Sequence, residues 1–242
     1  MTDRFDELNG RIGDLMLGDR GPLNSSPNWG ADRFDRLKTA TVDLIEAILL
    51  DETKTVEVGH ESYHHDNGFT KLVLARPSAA VGEIRLHHWE SGTPERDLPS
   101  NVHDHTSSFT SVVLNGVLHS TIFARTERGP SSTEYQAYLC HGRRGDQTYS
   151  LTHLGGANLQ VVSAYAIGAG QIHFLHGRIL HRIVPLEPET ISLVIQGPRT
   201  ADSTSVFNEA KIASVGTVES PELTIDTTRR ALRRVREHLR RT

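Results

Sequence analysis

The stretch SNVHDHTSSFTSVVLNGVL, residues 100–118, carries the most specific pattern in the chain. It places His103 and His105 two positions apart, ahead of a β-branched run that ends at the dipeptide Asn115-Gly116. Residues i and i+2 of a β-strand point to the same face, so one strand can direct both imidazoles into an interior. Asn-Gly between two strand-like runs is a strong hairpin signal. The stretch therefore predicts a pair of inward-facing histidines followed by a β-hairpin.

A metal ion held by these two histidines needs a third ligand from elsewhere in the chain. Residues 174–186, FLHGRILHRIVPL, offer His181 at the start of a later strand-like run. Histidine is the commonest metal ligand in proteins, and this chain has 14 histidines. His173 and His176 lie close to His181 in sequence. Either replaces it as ligand if the register is misread, and otherwise they support the ligands or form a turn.

Most of the chain between Thr55 and Gln196 reads as a succession of short β-strands. Runs such as TKLVLA, GEIRLHHW, STEYQAYL and TISLVIQ are rich in β-branched and aromatic residues and are separated by Gly, Pro, Ser or Asp. About eight to ten such strands with turn signals between them indicate an antiparallel sandwich or barrel. We therefore predict an all-β core.

Helical patterns flank these strands at both ends. The first thirty residues are rich in Gly, Asn, Asp and Pro and predict an irregular arm. Apolar residues at helical spacing then predict an amphipathic helix over residues 32–50. Near the end, Leu232, Val235 and Leu239 mark the apolar stripe of a final helix.

These patterns divide one structural domain into an N-terminal arm and helix over residues 1–54, a β-barrel with the metal site over residues 55–200, and a C-terminal extension over residues 201–242. The final helix carries seven arginines between Arg229 and Arg241. A charge-dense helix face is usually solvated. Its apolar stripe favours docking on the barrel or on a second copy in a homodimer.

Composition narrows the class of partner and the compartment. The formal net charge of −4 is not basic enough to suggest a nucleic-acid partner. No apolar run approaches the length that crosses a bilayer, and the N-terminus has no signal-peptide pattern. Cys140 is the single cysteine and cannot form an internal disulfide. We therefore expect a cytoplasmic protein without membrane or nucleic-acid partners.

The order of His-x-His, a following glycine and a distant histidine resembles the cupin superfamily, whose two sequence motifs lie on neighbouring strands of a small β-barrel. The resemblance covers residues 55–196, over half of the chain. It implies an all-β, cupin-type antiparallel barrel, or jelly roll, with one divalent metal bound by His103, His105 and His181.

One departure from the cupin motif concerns the fourth ligand. In that motif a glutamate follows the second histidine by four or five positions, where this chain has Phe109 and Thr110. The absence of the carboxylate leaves a three-histidine face with open coordination positions. Three neutral imidazoles bind Fe, Zn, Cu or Ni, and the open positions admit a substrate or O2.

The match is closer to one branch of the superfamily. HDHTSS at residues 103–108, LNGVLHSTIF at 114–123 and LHRI at 180–183 resemble stretches of cysteine dioxygenase and related thiol dioxygenases. Those enzymes use three histidines on Fe(II) to add both oxygens of O2 to a thiolate. The resemblance implies an Fe(II) oxygenase that acts with O2 on a small anionic substrate, a thiol or an amino-acid derivative.

The resemblance also assigns a substrate anchor. Thr70-Lys71 falls where the family places a Thr-Arg pair whose guanidinium holds the substrate carboxylate. Lys71 supplies a point charge there, but it lacks the bidentate fork of arginine. Arg85 and Arg178 are the next candidates for the anchor.

The chain differs from the thiol dioxygenases in a second motif. The family has Ser-x-His-x-Tyr after its third histidine, and the tyrosine assists oxygen chemistry. The matching run begins at Ser192 and places Val194 at the histidine position and Gln196 at the tyrosine position. Ser192 and Gln196 are therefore candidate catalytic residues. The substitutions favour a substrate other than plain L-cysteine.

A different class of function stays open. A cupin with the same ligands and Zn, Ni or Mn would be a non-oxidative isomerase, lyase or ligand-binding protein. A redox-silent metal lowers the pKa of bound water and does not activate O2.

The remaining histidines have structural interpretations. His87 and His88 occupy adjacent strand positions, so only one of them can face inward. His60, His64 and His65 lie near a predicted loop and are expected at the surface or at a pocket rim.

Overall fold

A computed structural model describes residues 4–17, 30–77, 82–91, 101–142, 148–212 and 216–241 of the chain. These ranges contain four α-helices: α1 (Arg4–Leu17), α2 (Ala31–Leu50), α3 (Glu52–Glu61) and α4 (Ile225–Arg241). Among these helices, none combines the length and apolar character that a membrane crossing requires.

The β-strands follow α3 and precede α4. In chain order they are β1 (Tyr63–His65), β2 (Phe69–Ala75), β3 (Glu83–Trp89), β4 (Val102–His103), β5 (Phe109–Asn115), β6 (Val117–Thr126), β7 (Thr133–Gly142), β8 (Thr148–Gly168), β9 (Ile172–Leu175), β10 (Leu180–Pro185), β11 (Thr190–Gln196), β12 (Ser203–Asn208) and β13 (Gly216–Glu219).

These strands form two antiparallel sheets. Sheet A has the order β1-β2-β3-β11-β5-β9, and sheet B has the order β13-β8-β6-β10-β4-β12-β7, with a further pairing between β8 and β7. The expectation of a β-rich, antiparallel core is therefore confirmed. The helices add a layer that the strand pattern alone did not indicate.

Sheet A lies between the helices and a cavity. Alternate residues of β11 face these two sides in turn. One set packs in the main apolar core with α1, α2 and α4: Ile191, Leu193 and Ile195. The other set lines the cavity between the two sheets: Ser192, Val194 and Gln196. Both faces of β11 are therefore buried, one against the helices and the other at the cavity.

The two predicted helices are confirmed. α2 covers Ala31–Leu50 and buries an apolar face that includes Leu44 and Ile48. On α4, Leu232 and Val235 are fully buried and Leu239 is almost so. α4 packs against α2, α3 and sheet A, so its apolar stripe docks on its own chain.

The N-terminal arm is not irregular over its first part, where α1 spans Arg4–Leu17. Leu8, Ile12 and Met16 recur at four-residue spacing on this helix and are buried in the main core. Gly10 and Gly13 lie within this helix, and because glycine has a low helix propensity, the composition of the segment did not indicate a helix. Residues 18–29 of the predicted arm lie outside the described ranges.

The β-rich region begins later than Thr55. α3 spans Glu52–Glu61, across the predicted boundary between residues 54 and 55. The side chain of Asp51 caps this helix by accepting a hydrogen bond from the Lys54 amide, at 3.0 Å. Thr55 and Val58 are buried against the other helices, and this packing overrides their β propensity.

The dipeptide Asn115-Gly116 does not close a hairpin, and this prediction is wrong. β5 before it pairs with β11 and β9, whereas β6 after it pairs with β8 and β10. Gly116 has a φ of 78°, and a Cβ on it would lie 3.0 Å from the Thr190 Cα. A glycine is therefore needed at a bend where the chain passes from sheet A to sheet B.

Candidate metal centre

Three histidines from two separate parts of the chain meet on sheet B, as the sequence predicts. His103 on β4 and His181 on β10 are direct cross-strand partners. His105 follows β4, and its amide donates to the Gly177 carbonyl at 2.6 Å, which ties it to the turn before β10. One ring nitrogen from each histidine lies within 4.8 Å of the other two. These nitrogens are close enough to bind one metal ion.

The hydrogen bonds of two rings select the tautomer that binds metal. Nδ1 of His103 lies 3.1 Å from the Asn101 carbonyl, and Nδ1 of His181 lies 3.1 Å from the Ile179 carbonyl. A carbonyl only accepts, so each Nδ1 carries the proton and each Nε2 keeps its lone pair. Both rings are thereby held with Nε2 available as a ligand.

The ring of His105 lies where its Nε2 can bind the same metal ion as the other two histidines. Nε2 of His105 lies 3.3 Å from Nε2 of His181. Two nitrogens bound at about 2.1 Å to one tetrahedral or octahedral metal are about 3.0–3.4 Å apart. The spacing of these two nitrogens therefore fits a shared divalent ion.

Burial keeps two of the ligands neutral. Desolvation, followed by the nearby His103, lowers the pKa of His105 well below its ordinary value. Desolvation, again followed by His103, does the same to the pKa of His181. Neutral imidazole is the form that binds metal, so these two ligands need not lose a proton at pH 7.

An aromatic ring stands beside the three histidines at one of the two positions where the family motif has a carboxylate. The ring of Phe109 meets that of His105 edge-on, with centroids 4.9 Å apart. Phe109 is buried with Leu175 and Val194. Thr110 follows it on β5 and points to the opposite face of the sheet. The side chains at these two positions therefore offer the metal no carboxylate.

The two alternative third ligands lie outside the triad. His173 on β9 lines the same cavity, and its Nε2 lies 2.9 Å from the Tyr165 hydroxyl. Desolvation by burial lowers the pKa of His173 to about 4, so it is neutral at pH 7. His176 is exposed in the turn before β10, where its Nδ1 accepts from the Arg178 amide. His181 is the histidine that joins His103 and His105.

The triad opens onto a cavity of about 450 Å³ between the two sheets. Sheet B contributes mainly apolar and aromatic groups to its wall, among them Leu118, Tyr149 and Ile183. Sheet A contributes a polar cluster, formed by Lys71, Glu83, Arg85, His87, Ser192 and Gln196. A cavity of this size accommodates a small molecule next to the triad.

The polar cluster is organised around one carboxylate. Glu83 Oε2 lies 3.3 Å from Lys71 Nζ and 3.0 Å from Arg85 Nη1. Its Oε1 lies 3.0 Å from Arg76 Nη2. Burial raises the pKa of Glu83, but the charges of Lys71, Arg85 and Arg76 outweigh it, so the net pKa lies far below its usual range. Glu83 is therefore ionised at pH 7.

The structure places each residue of the run Ser192–Gln196. Ser192 and Gln196 line the cavity, and Val194 between them packs beside Phe109. The side-chain oxygen of Gln196 accepts a hydrogen bond from Arg85. The other candidate anchor, Arg178, pairs with Asp104 at 3.2 Å and is half exposed. Arg178 is not part of the cavity wall.

Only one of the adjacent histidines on β3 faces the cavity, as predicted. His87 lines it. His88 points to the helical side of sheet A, where its Nε2 lies 2.9 Å from Glu189. Glu189 also pairs with Arg234 of α4. Of the three histidines near the predicted loop, His65 borders the cavity.

Sequence reasoning missed Glu83 as a member of the site. The signal was present, because GEIRLHHW alternates polar Glu83, Arg85 and His87 with apolar Ile84 and Leu86. A strict two-residue alternation places the three polar side chains on one face.

Comparisons with known proteins add no family assignment. No protein-family model matches the chain, and no curated protein matches it.

Proposed function

We propose that the chain is a cupin-type jelly roll whose triad holds a single Fe(II) ion, and that it acts with O2 as an oxygenase on a small anionic substrate. One observation carries the proposal. Three imidazoles, His103, His105 and His181, converge at the wall of a cavity, and Phe109 and Thr110 place no carboxylate beside them. The likeness of their sequence context to thiol dioxygenases favours iron and O2.

The reaction class follows from the open coordination positions. When bound, Fe(II) supplies sites at which substrate and O2 meet, and it can donate electron density to O2. With a thiolate substrate the balanced change is RS⁻ + O2 → RSO2⁻. Sulfur is oxidised by four electrons, O2 is reduced, and both oxygen atoms remain in the sulfinate product. No further reductant is needed.

The protein orients the metal-binding histidines and limits the access of water to them. The carbonyls of Asn101 and Ile179 hold His103 and His181 in one orientation. Phe109, Leu118 and other apolar groups limit the water that reaches the triad. Exclusion of water strengthens the electrostatic interactions between the cavity wall and an anionic substrate.

The test combines metal analysis with an O2 electrode. Protein purified without added metal is assayed for Fe, Zn, Ni, Mn and Cu, then reconstituted with Fe(II) and exposed to a panel of thiols and amino acids. We expect about one iron per chain and O2 uptake with at least one anionic member of the panel. His181→Ala serves as the inactive control.

A different result would move the chain to the other class. Stoichiometric Zn or Ni, together with no O2 uptake by the iron-loaded protein, would indicate a non-oxidative cupin. In that case the metal would act by lowering the pKa of bound water.

A further inference from the structure

The polar cluster on sheet A has more hydrogen-bond donors than acceptors. Both carboxylate oxygens of Glu83 are engaged, Oε1 by Arg76 and Oε2 by Arg85 and Lys71. The side-chain oxygen of Gln196 is engaged by Arg85. The acceptors of these two side chains are therefore in use, and a ligand placed beside them meets donors.

Arg85 is the donor with capacity left. Its Nη1 serves both Glu83 and Gln196. Its Nε is buried without a hydrogen-bond partner among the described residues. A guanidinium has five N–H donors, and the Arg85 side chain is only 7% exposed, so bulk water does not satisfy the buried Nε. Burying unsatisfied donors of a charged group is costly, and an oxyanion would relieve that cost.

The ammonium of Lys71 is paired with a carboxylate and an aromatic ring. Its ammonium lies 3.3 Å from Glu83 and 5.2 Å from the centre of the Tyr63 ring. The ammonium and the carboxylate offset each other's charge, whereas Arg85 adds a further positive charge to the same wall. The three side chains Lys71, Arg85 and Glu83 together carry one net positive charge. Arg76, which also pairs with Glu83, is offset by its second partner, Glu61, so the cluster matches a single anionic group.

Strand pairing in sheet A connects the polar cluster to the residues beside the triad. Gln196 on β11 lies between Glu83 on β3 and Phe109 on β5, as direct cross-strand partners. Phe109 in turn packs edge-on against His105. Neighbouring strands are about 4.8 Å apart, so β3, which carries Arg85, lies about 9.6 Å from β5, which carries Phe109. Arg85 and the three histidines line the same cavity, so a small molecule with its anionic end at Arg85 can extend from there towards the triad.

We propose that Arg85, held in place by Glu83 and Gln196, binds the carboxylate or similar monoanionic end of the substrate. Gln196 then acts as a positioning residue for Arg85, and Lys71 acts as the counter-charge of Glu83. The inference rests on the proposed function only in taking the other end of the substrate to lie at the metal.

The test uses protein stripped of metal with a chelator, so it does not depend on metal identity or on O2 chemistry. Binding of propionate and of its neutral isostere propionamide is measured by ligand-observed NMR at pH 7. We expect wild type to prefer propionate by about tenfold, the effect of one charge-assisted hydrogen bond.

Three variants on the same wall distinguish the residues. Arg85→Gln should abolish the preference for propionate. The matched Lys71→Gln, which removes the same charge, should lower the preference without abolishing it, because Arg85 still donates to the carboxylate. Arg85→Lys retains the charge beside Glu83 and loses the second terminal nitrogen, so it should lower the preference about threefold or more. Thermal melts identify any variant that does not fold, and Arg85→Lys decides if Arg85→Gln is unfolded.

Two outcomes would overturn the assignment. Equal binding of propionate and propionamide by wild type would show that the wall is not an anion site. A preference that survives both Arg85 substitutions and is lost in Lys71→Gln would make Lys71 the anchor. Neither outcome bears on the metal content of the triad, which is measured separately.

Discussion

His103 and His181 face each other directly across β4 and β10, with ring centroids 4.6 Å apart. The two residues are 78 positions apart in the chain, so the site forms only when sheet B is assembled. Metal binding is therefore linked to folding, and a bound ion should stabilise the native state.

The first prediction concerns the ligands. Replacing His103, His105 or His181 with Ala should remove most of the bound metal, because two imidazoles alone hold a divalent ion weakly. X-ray absorption of the loaded wild type should give metal–nitrogen distances near 2.1 Å. His176→Ala is the matched control, since this exposed histidine lies outside the triad. Full metal content in His181→Ala would contradict the assignment.

The second prediction concerns acid stability. The pKa of His173 is lowered to about 4 in the folded protein, whereas an unfolded histidine titrates near ~6.5. Between these values the unfolded state binds more protons, so the free energy of unfolding falls as the pH falls. His173→Asn should reduce this slope by up to about 1.4 kcal/mol per pH unit.

Urea unfolding of metal-free protein between pH 4.5 and 6.5 measures that slope. His176→Asn provides the comparison, because it removes an exposed histidine from the neighbouring turn. An unchanged slope in His173→Asn would mean that His173 does not resist protonation in the folded state.

The third prediction concerns the bend between the sheets. Gly116→Ala should lower the free energy of unfolding by about 1–3 kcal/mol, because the φ of 78° is strained for alanine and its Cβ meets Thr190. Gly13→Ala in α1 is the control, since a Cβ there contacts nothing within 4 Å. That control should gain about 0.5–1 kcal/mol from helix propensity. Chemical denaturation of both variants decides, and equal stabilities would refute the prediction.

The fourth prediction concerns L-cysteine, which the likeness to cysteine dioxygenase suggests as substrate. A tyrosine can donate a proton to an oxygen intermediate, with an ordinary pKa near ~10. The amide of Gln196 cannot, and its oxygen is already engaged by Arg85. We therefore expect slow or absent formation of cysteine sulfinate by Fe(II)-loaded protein under air. A kcat of about 1 s⁻¹ or more would show that the simple cysteine dioxygenase activity is present.

The three histidines of the triad could be predicted because each lies in a local sequence pattern of a few residues. His103 and His105 are two positions apart, and His181 begins a strand-like run. The prediction that one strand carries both histidines is wrong, because β4 ends at His103 and His105 lies beyond it. What the sequence did not reveal depends on long-range partners. Asn115-Gly116 predicts a local turn, but the pairing of β5 and β6 with different strands is decided by the burial of whole sheets.

The polar cluster illustrates the same limit. Arg85 was one of several candidate anchors, and its alternation with Ile84 and Leu86 indicates a shared strand face without showing what that face meets. The difference between Arg85 and Arg178 arises from the surroundings: Arg85 meets Glu83 and Gln196 inside the cavity, whereas the half-exposed Arg178 pairs with the buried Asp104 outside the cavity wall formed by sheet A. Residues brought together from β3 and β11 make this distinction, which sequence spacing does not contain.

Strand β3 carries cavity residues on one face and His88 on the other, where Glu189 connects it to Arg234 of α4. The C-terminal helix therefore supports the back of the wall that holds Arg85. A shortened chain that ends before residue 225 would lose this support even though every cavity residue is retained. For protein engineering, residues 225–241 belong to the smallest fragment in which ligand recognition should be attempted.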